Sequence, residues 1–372
     1  MIGLYLHIPF CKKKCHYCDF VITTNRLSAT RLTFIASLEK EIAHSRDFLS
    51  GKTFETFYIG GGTPSVLSAG ELEEIFSLVR KNFKLREDAE ITCEVNPGDM
   101  TAEKAAAYAG LGINRASLGA QSFNDRTLKL INRDHSSKDI LKSVHILRSV
   151  GFENISLDLI LSLPEETLLD VKHSLNKLVS LGPEHVSLYE LTIEEKTVFG
   201  NEFRKGRLKL PGEETQLEML SFARKFLKEK GFCHYELLSY AKPGFRSRHN
   251  LLYWANEETL GLGPGAFSYF NGRRFRHSSS VDEYFEKIGN NDWSACEQET
   301  LHADKREIES FLLALRLSEG APLSRFQPVM DKFQGNITGL IEKGLLERTR
   351  DRVCLTARGQ FFAETVFTEL SG

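Results

Sequence analysis

The stretch IPFCKKKCHYCDF, Ile8–Phe20, carries three of the chain's seven cysteines, Cys11, Cys15 and Cys18, in the spacing C-x3-C-x2-C. It directly follows the apolar run Gly3–Ile8, so the thiols sit on a loop at the end of a predicted first strand. Iron–sulfur clusters are held by cysteine thiolates, normally four for a 4Fe–4S cube. Three thiolates leave one iron without a protein ligand, and an open position is where a metal site does chemistry. Two other readings stand beside this one: three unrelated thiols, or a zinc site with a distant fourth ligand. Zinc favours ligands paired two to four residues apart, and no second pair is obvious here. His16 adjoins Cys15, where joint coordination would be strained.

Outward from this loop, short apolar runs alternate with longer amphipathic ones. The strand-like runs are Leu4–Ile8, Thr56–Ile59, Glu90–Val95, Arg115–Leu118, Ile155–Leu161 and His185–Leu191. Between them the spacing predicts helices over Ala29–Phe48, Ala69–Asn82, Thr101–Leu111, Lys138–Val150 and Leu168–Leu181. Ser28 and Thr101 stand as N-caps, and Gly112, Gly151 and Gly182 stand where a left-handed C-terminal residue is wanted. Such alternation predicts an α/β fold of parallel strands with helical crossovers, an open or closed barrel. Unusual polar residues fall at each strand end: the cysteine loop, Gly60–Gly62, Glu94–Pro97, Gln121–Phe123, Asp158 and Tyr189–Thr192. In β/α barrels the carboxyl ends of the strands form the functional face, so these motifs predict one site at one mouth.

The 372 residues suffice for one large domain plus an appended one. We expect three parts: 1–230, the barrel; 231–302, an extension; and 303–372, a small C-terminal domain. Charged residues make up 26% and the net charge is −2, which favours neither nucleic acid nor an anionic membrane. The N-terminus reads as a strand rather than a signal peptide, and no run approaches the roughly 18 apolar residues of a membrane span. An odd cysteine count with three clustered argues for a reducing compartment, the cytoplasm. Lys196–Pro211 is charged and reads as a linker or loop, followed by a helix over Glu213–Lys230 and a strand over Cys233–Leu238. In the last part, helices over Arg306–Leu317, Ile337–Lys343 and Ala357–Leu370 flank a hairpin pairing Leu345–Arg348 with Arg352–Leu355. That outline is a winged helix, and without a dense basic recognition helix it reads as a packing domain rather than a nucleic-acid binder.

The flanks LYLHIPFC and CHYCDF resemble the radical S-adenosylmethionine (SAM) superfamily, in the branch that holds oxygen-independent coproporphyrinogen III oxidases and haem chaperones. The resemblance covers most of the chain and implies a partial (β/α)6 barrel, a 4Fe–4S cluster on Cys11, Cys15 and Cys18, and SAM on the open iron. It implies that Gly61, Gly62 and Thr63, in the GGGTP segment, meet the amino group of SAM. Strand alternation sends Thr92, Glu94 and Asn96 to one face, where an acid needs a ligand or an internal partner such as Arg115. Resemblance assigns Glu94 to SAM, together with Tyr5, Gln121, Arg133 and Asp158.

The segment His249–Trp254, HNLLYW, matches the haem-chaperone branch. By residue chemistry His249 is either a core histidine packed by Tyr253 and Trp254 or a haem contact, and resemblance favours haem. The oxidases carry a further cysteine where this chain has Phe20, which speaks against oxidase activity. The family's usual YGLP reads Leu161–Ser162–Leu163–Pro164 here. The function implied is a chaperone that binds cluster, SAM and haem and delivers haem to client haemoproteins of respiratory type. Any membrane association would run through such clients, and a homodimer is compatible. The rival is radical decarboxylation of coproporphyrinogen III, and a third reading is a radical enzyme with an unrelated substrate.

Overall fold

The computed structural model describes residues 1–46, 49 and 51–371. Strands β1 (Ile2–Ile8), β2 (Thr53–Gly61), β3 (Lys84–Val95), β4 (Arg115–Gln121), β5 (Ile155–Leu161) and β6 (His185–Glu190) are parallel and adjacent in chain order. Helices α1 (Ser28–Arg46), α2 (Ala69–Asn82), α3 (Ala102–Gly110), α4 (Asp125–Leu130), α5 (Ser137–Ser149) and α6 (Leu168–Ser180) connect them. β1 and β6 do not pair, so the barrel is open.

The longer crossover helices form because their apolar residues recur at helical spacing. In α2, Leu72, Ile75, Phe76 and Val79 face the sheet, each contributing about 1.5–3 kcal/mol by burial. Ser68 caps that helix with Glu71 in a reciprocal capping box. Thr101 caps α3 through the Lys104 N–H, whereas Ser28 is the first helical residue of α1 rather than its cap. The expected end of α1 at Phe48 lies outside the described residues.

Beyond the barrel come α7 (Val198–Arg204), α8 (Glu213–Glu229), β7 (Cys233–Glu236), β8 (Ser239–Ala241), α9 (Arg248–Trp254) and β9 (Glu258–Leu262). The segment expected to be a linker thus contains a helix, α7. Thr197 caps it, and Phe199 buries itself against Leu128, Ile131, Ile160 and Leu163. One buried ring in a polar stretch gives too weak a period to read. β8 and β7 extend the sheet past β6, while β9 runs parallel beside β1. Strands β10 (Ser268–Phe270) and β11 (Arg273–Arg276), helix α10 (Val281–Gly289) and strand β12 (Glu297–Thr300) continue from β9, the strands antiparallel.

The last seventy residues hold α11 (Ala303–Leu315), β13 (Ala321–Pro322), α12 (Leu323–Lys332), α13 (Gln334–Glu342), β14 (Leu346–Arg348), β15 (Arg352–Leu355), α14 (Ala357–Phe361) and α15 (Ala363–Ser371). They share a hydrophobic core of their own that includes Phe311, Phe326, Leu340, Val353 and Val366. The expected hairpin is β14–β15, to which β13 adds a third strand. Helix α12 was not legible, because Pro328 lies inside it and Phe326 leaves helical geometry. No described helix is long and apolar enough to cross a membrane.

Under the barrel, Glu90 of β3 accepts the backbone N–H groups of Arg248 and His249, both at 3.0 Å, and so anchors the start of α9. The His249 ring is buried. Its Nδ1 lies 2.7 Å from Thr56 Oγ1 and its Nε2 lies 3.1 Å from the Tyr253 hydroxyl. The ring stacks on Tyr58 at 5.1 Å, and burial lowers its pKa to about 3. Both ring nitrogens lie within hydrogen-bond distance of hydroxyls of the protein, the arrangement of the packing alternative for His249. Replacing His249 by Ala should cost about 2–4 kcal/mol from a cavity and two broken hydrogen bonds. Thermal unfolding with and without haem checks this; a fully stable variant that has lost haem would contradict it.

At the end of β5, Ser162 takes φ 62 at the position of the glycine in the YGLP pattern, and its hydroxyl is buried without a partner among the described residues. A left-handed non-glycine residue and an orphaned hydroxyl each carry a penalty. Ser162→Gly should therefore stabilise the protein by roughly 1 kcal/mol, raising the thermal midpoint by about 1–2 °C.

Candidate functional site

A cavity of about 560 Å³ opens at the carboxyl ends of β1–β6. It brings together ten of the residues singled out from sequence: Cys11, Cys15, Cys18, Gly61, Gly62, Thr63, Glu94, Gln121, Arg133 and Asp158. Tyr5 is not among its lining residues. Its hydroxyl lies 3.0 Å from His7 Nδ1, and His7 Nε2 lies 2.7 Å from the Val21 carbonyl, so Tyr5 belongs with His249 to the layer below.

The cysteine loop has no regular structure and is fastened by its backbone. Cys11 N–H donates to Thr23 O at 3.0 Å, and Thr23 N–H returns to Pro9 O at 2.7 Å. Phe199 N–H donates to His16 O at 2.9 Å, and Asn132 Nδ2 donates to Lys14 O at 2.8 Å. Lys12 pairs with the buried Asp99 beyond β3. Thr63 Oγ1 lies 3.3 Å from Cys11 Sγ, and Arg133 Nη1 reaches Cys15 Sγ at 3.6 Å.

Among the described residues no three His, Cys, Asp or Glu side chains converge on one point. A single ion with bonds of about 2.3 Å needs such convergence, whereas a cluster takes one thiolate per iron and spreads its ligands. Burial pushes the Cys11 thiol up to about 11 and raises Cys18 as well. Thiolates here therefore need compensating positive charge, of which Arg133 supplies part and a bound metal would supply the rest.

The floor is acidic. Glu94 accepts from the Tyr58 hydroxyl at 2.8 Å and from the Gly61 N–H at 3.1 Å. Burial raises its pKa to about 7, against the Tyr58 hydrogen bond and with help from Asp158. Asp158 is raised by burial too, though Ser117 (3.4 Å) and Ser156 (3.2 Å) donate to it. Gln121 has φ 64, and its Oε1 is buried without a partner among the described residues. Two buried carboxyl groups and an orphaned acceptor suit a ligand bearing positive charge and N–H donors. Gly61 has φ 105, and a Cβ there would meet His7 Nδ1 at 2.5 Å; a Cβ on Gly62 would meet Ile8 O at 2.9 Å. Glycine is needed at both for β2 to end against β1.

Sequence reading missed Tyr58, Tyr17, which lines the cavity beside Cys15 and Cys18, and the central role of Asn96. Asn96 Oδ1 accepts from Arg133 Nη2 at 2.8 Å, and its Nδ2 donates to Asp134 at 2.9 Å. Strand parity already put Asn96 on the Glu94 face and Tyr58 in phase with Thr56, and that signal was available. At the mouth, Phe20 is 64% exposed and Tyr189 40%, beside the exposed Lys13 and Lys14.

Comparison with known proteins agrees with this geometry. The radical SAM superfamily matches residues 5–178, and the HemN C-terminal domain matches residues 301–362. The haem chaperone HemW of Bacillus subtilis is 35% identical over all of both chains. That of Lactococcus lactis is 37% identical over 98% of this chain and 95% of its own, and that of Escherichia coli 30% over 98% and 97%. The fold matches that of coproporphyrinogen III oxidase (HemN) from Escherichia coli with a TM-score of 0.88, at 22% identity over 100% of this chain and 90% of that one. A radical SAM segment, a HemN-type C-terminal domain and relatives of this identity over their full length have one reading: the chain belongs to the HemW family of haem chaperones within the radical SAM superfamily.

Proposed function

We propose that this protein binds a 4Fe–4S cluster on Cys11, Cys15 and Cys18, binds SAM against the acidic floor, and carries haem to client haemoproteins of respiratory type in the cytoplasm. The observation that supports it best is one cavity joining three thiols to two buried carboxyl groups. When bound, the cluster supplies redox chemistry and an open iron. Glu94 would receive the cationic end of SAM, with Asp158 and the Gln121 acceptor fixing the rest of the molecule. Thr63 and Arg133 would donate to the cluster's sulfur ligands. With His249 buried, haem contact falls to the rim, where Phe20 and Tyr189 offer aromatic faces and Lys13 and Lys14 face anionic propionates. Phe20 also stands where the oxidases have a cysteine, which favours cargo binding over decarboxylation.

Anaerobically reconstituted protein should hold about four irons per chain, lost in Cys15→Ala. The same material should give a Soret band that survives gel filtration and weakens in Phe20→Ala. Turnover of coproporphyrinogen III would instead establish the oxidase. SAM affinity should depend on the Glu94 carboxylate, whose pKa is raised to about 7. Protonation removes the charge that attracts the ligand, so affinity should fall about tenfold between pH 8 and pH 6. Calorimetric titration across that range checks it, and a flat profile would remove Glu94 from the site.

A further inference from the structure

Arg115 opens β4 and is 2% exposed, which puts a guanidinium inside the barrel beneath the cavity. Its partner in strand register is Thr92 of β3. Arg115 Nε and Thr92 Oγ1 are both buried, and neither has a hydrogen-bond partner among the described residues. A buried guanidinium with an unpartnered N–H carries a desolvation cost that invites a reason for its place here. The two carboxyl groups above it are committed elsewhere: Glu94 to Tyr58 and Gly61, Asp158 to Ser117 and Ser156. Arg115 therefore acts on both through space, opposing the effect of burial. Internal water is the usual source of the hydrogen bonds such groups lack among side chains.

The groups that feel this charge come from every wall. They are Tyr58 of β2, Glu94 of β3, Asp158 of β5, His185 of β6, Tyr235 of β7 and His249 of α9. Both histidines are held neutral, first by burial and then by Arg115. His185 is further fixed by Ser156 and Tyr235, each at 2.8 Å.

We infer that Arg115 is a positioning residue for the cavity floor: a fixed positive charge below Glu94 and Asp158 that favours their ionised forms for receiving a cationic ligand group. This rests on the proposed reading of the floor as the SAM site, and it concerns a residue that never touches the ligand. The charge pattern runs in layers, with the cation deepest, the carboxylates above it and the ligand's positive charge outermost.

The test compares full-length wild type, Arg115→Gln and Arg115→Lys by unfolding and by SAM titration between pH 6 and pH 8.5. Without the counter-ion, the buried carboxyl groups should protonate at higher pH. Above that pH the variant must bury their charge uncompensated, and below it proton uptake relieves the penalty. The stability gap between wild type and Arg115→Gln should therefore widen as pH rises, and the midpoint of the SAM affinity profile should move up by about one pH unit. Arg115→Lys should restore both in part. A gap independent of pH, with SAM profiles that stay parallel, would overturn the inference and leave Arg115 as packing. Should Arg115→Gln alone not fold, the double variant Glu94→Gln/Arg115→Gln should recover the fold, because the charge is removed from both partners. Failure of that variant as well would also overturn it. If wild type binds no SAM at any pH, the cofactor reading fails, and the unfolding comparison still decides the role of Arg115.

Discussion

The end of β2 must lie against the end of β1 with no side chain between them. Gly62 N–H donates to Ile8 O at 2.8 Å, and a Cβ on Gly61 would sit in the His7 ring. The close approach has three consequences at once. It turns the Gly61 N–H toward Glu94, sets Thr63 beside Cys11, and keeps the cysteine loop over the barrel's mouth instead of beside it. A larger residue at either glycine would push apart the thiols and the acid that share the cavity. The backbone contact comes first, and the site's chemistry is arranged around it.

Beneath that contact the barrel interior is unusually polar, and its polarity is graded. Histidines tied to hydroxyls occupy the base, Arg115 lies among them, and the buried acids Glu94 and Asp158 form the next layer. Above these stand the orphaned Gln121 oxygen and the thiols with Arg133. A core of this kind stabilises less than an apolar one, since each buried charge has a desolvation cost. The apolar side chains that hold the fold lie instead between the sheet and its helices, as in α2. The division leaves the interior free to serve a ligand, the arrangement that the strand ends of β/α barrels generally adopt.

Much of this was legible in the residues because two periods were strong. The six parallel strands and most crossover helices followed from alternating apolar runs, and glycines such as Gly112 and Gly151 marked helix ends with positive φ. The signals failed where one buried side chain carries an element, as Phe199 does for α7, or where proline interrupts the pattern, as Pro328 does in α12. Residue type alone could not choose at His249, because an imidazole beside Tyr253 and Trp254 reads the same whether its nitrogens face a ligand or a neighbouring threonine such as Thr56.

The sequence by itself determined the three-thiol loop, the parallel α/β order and the glycine turn after β2, since each depends on local spacing or on the absence of a Cβ. Only the tertiary structure decided that Glu94, Asp158, Gln121 and Arg133 share one cavity with those thiols while Tyr5 and His249 lie beneath it. Strand parity says which face a side chain takes, but its depth along an open barrel depends on register between strands far apart in the chain. Register is a property of the assembled sheet, and with it comes the difference between a residue that meets a ligand and one that supports the residue that does.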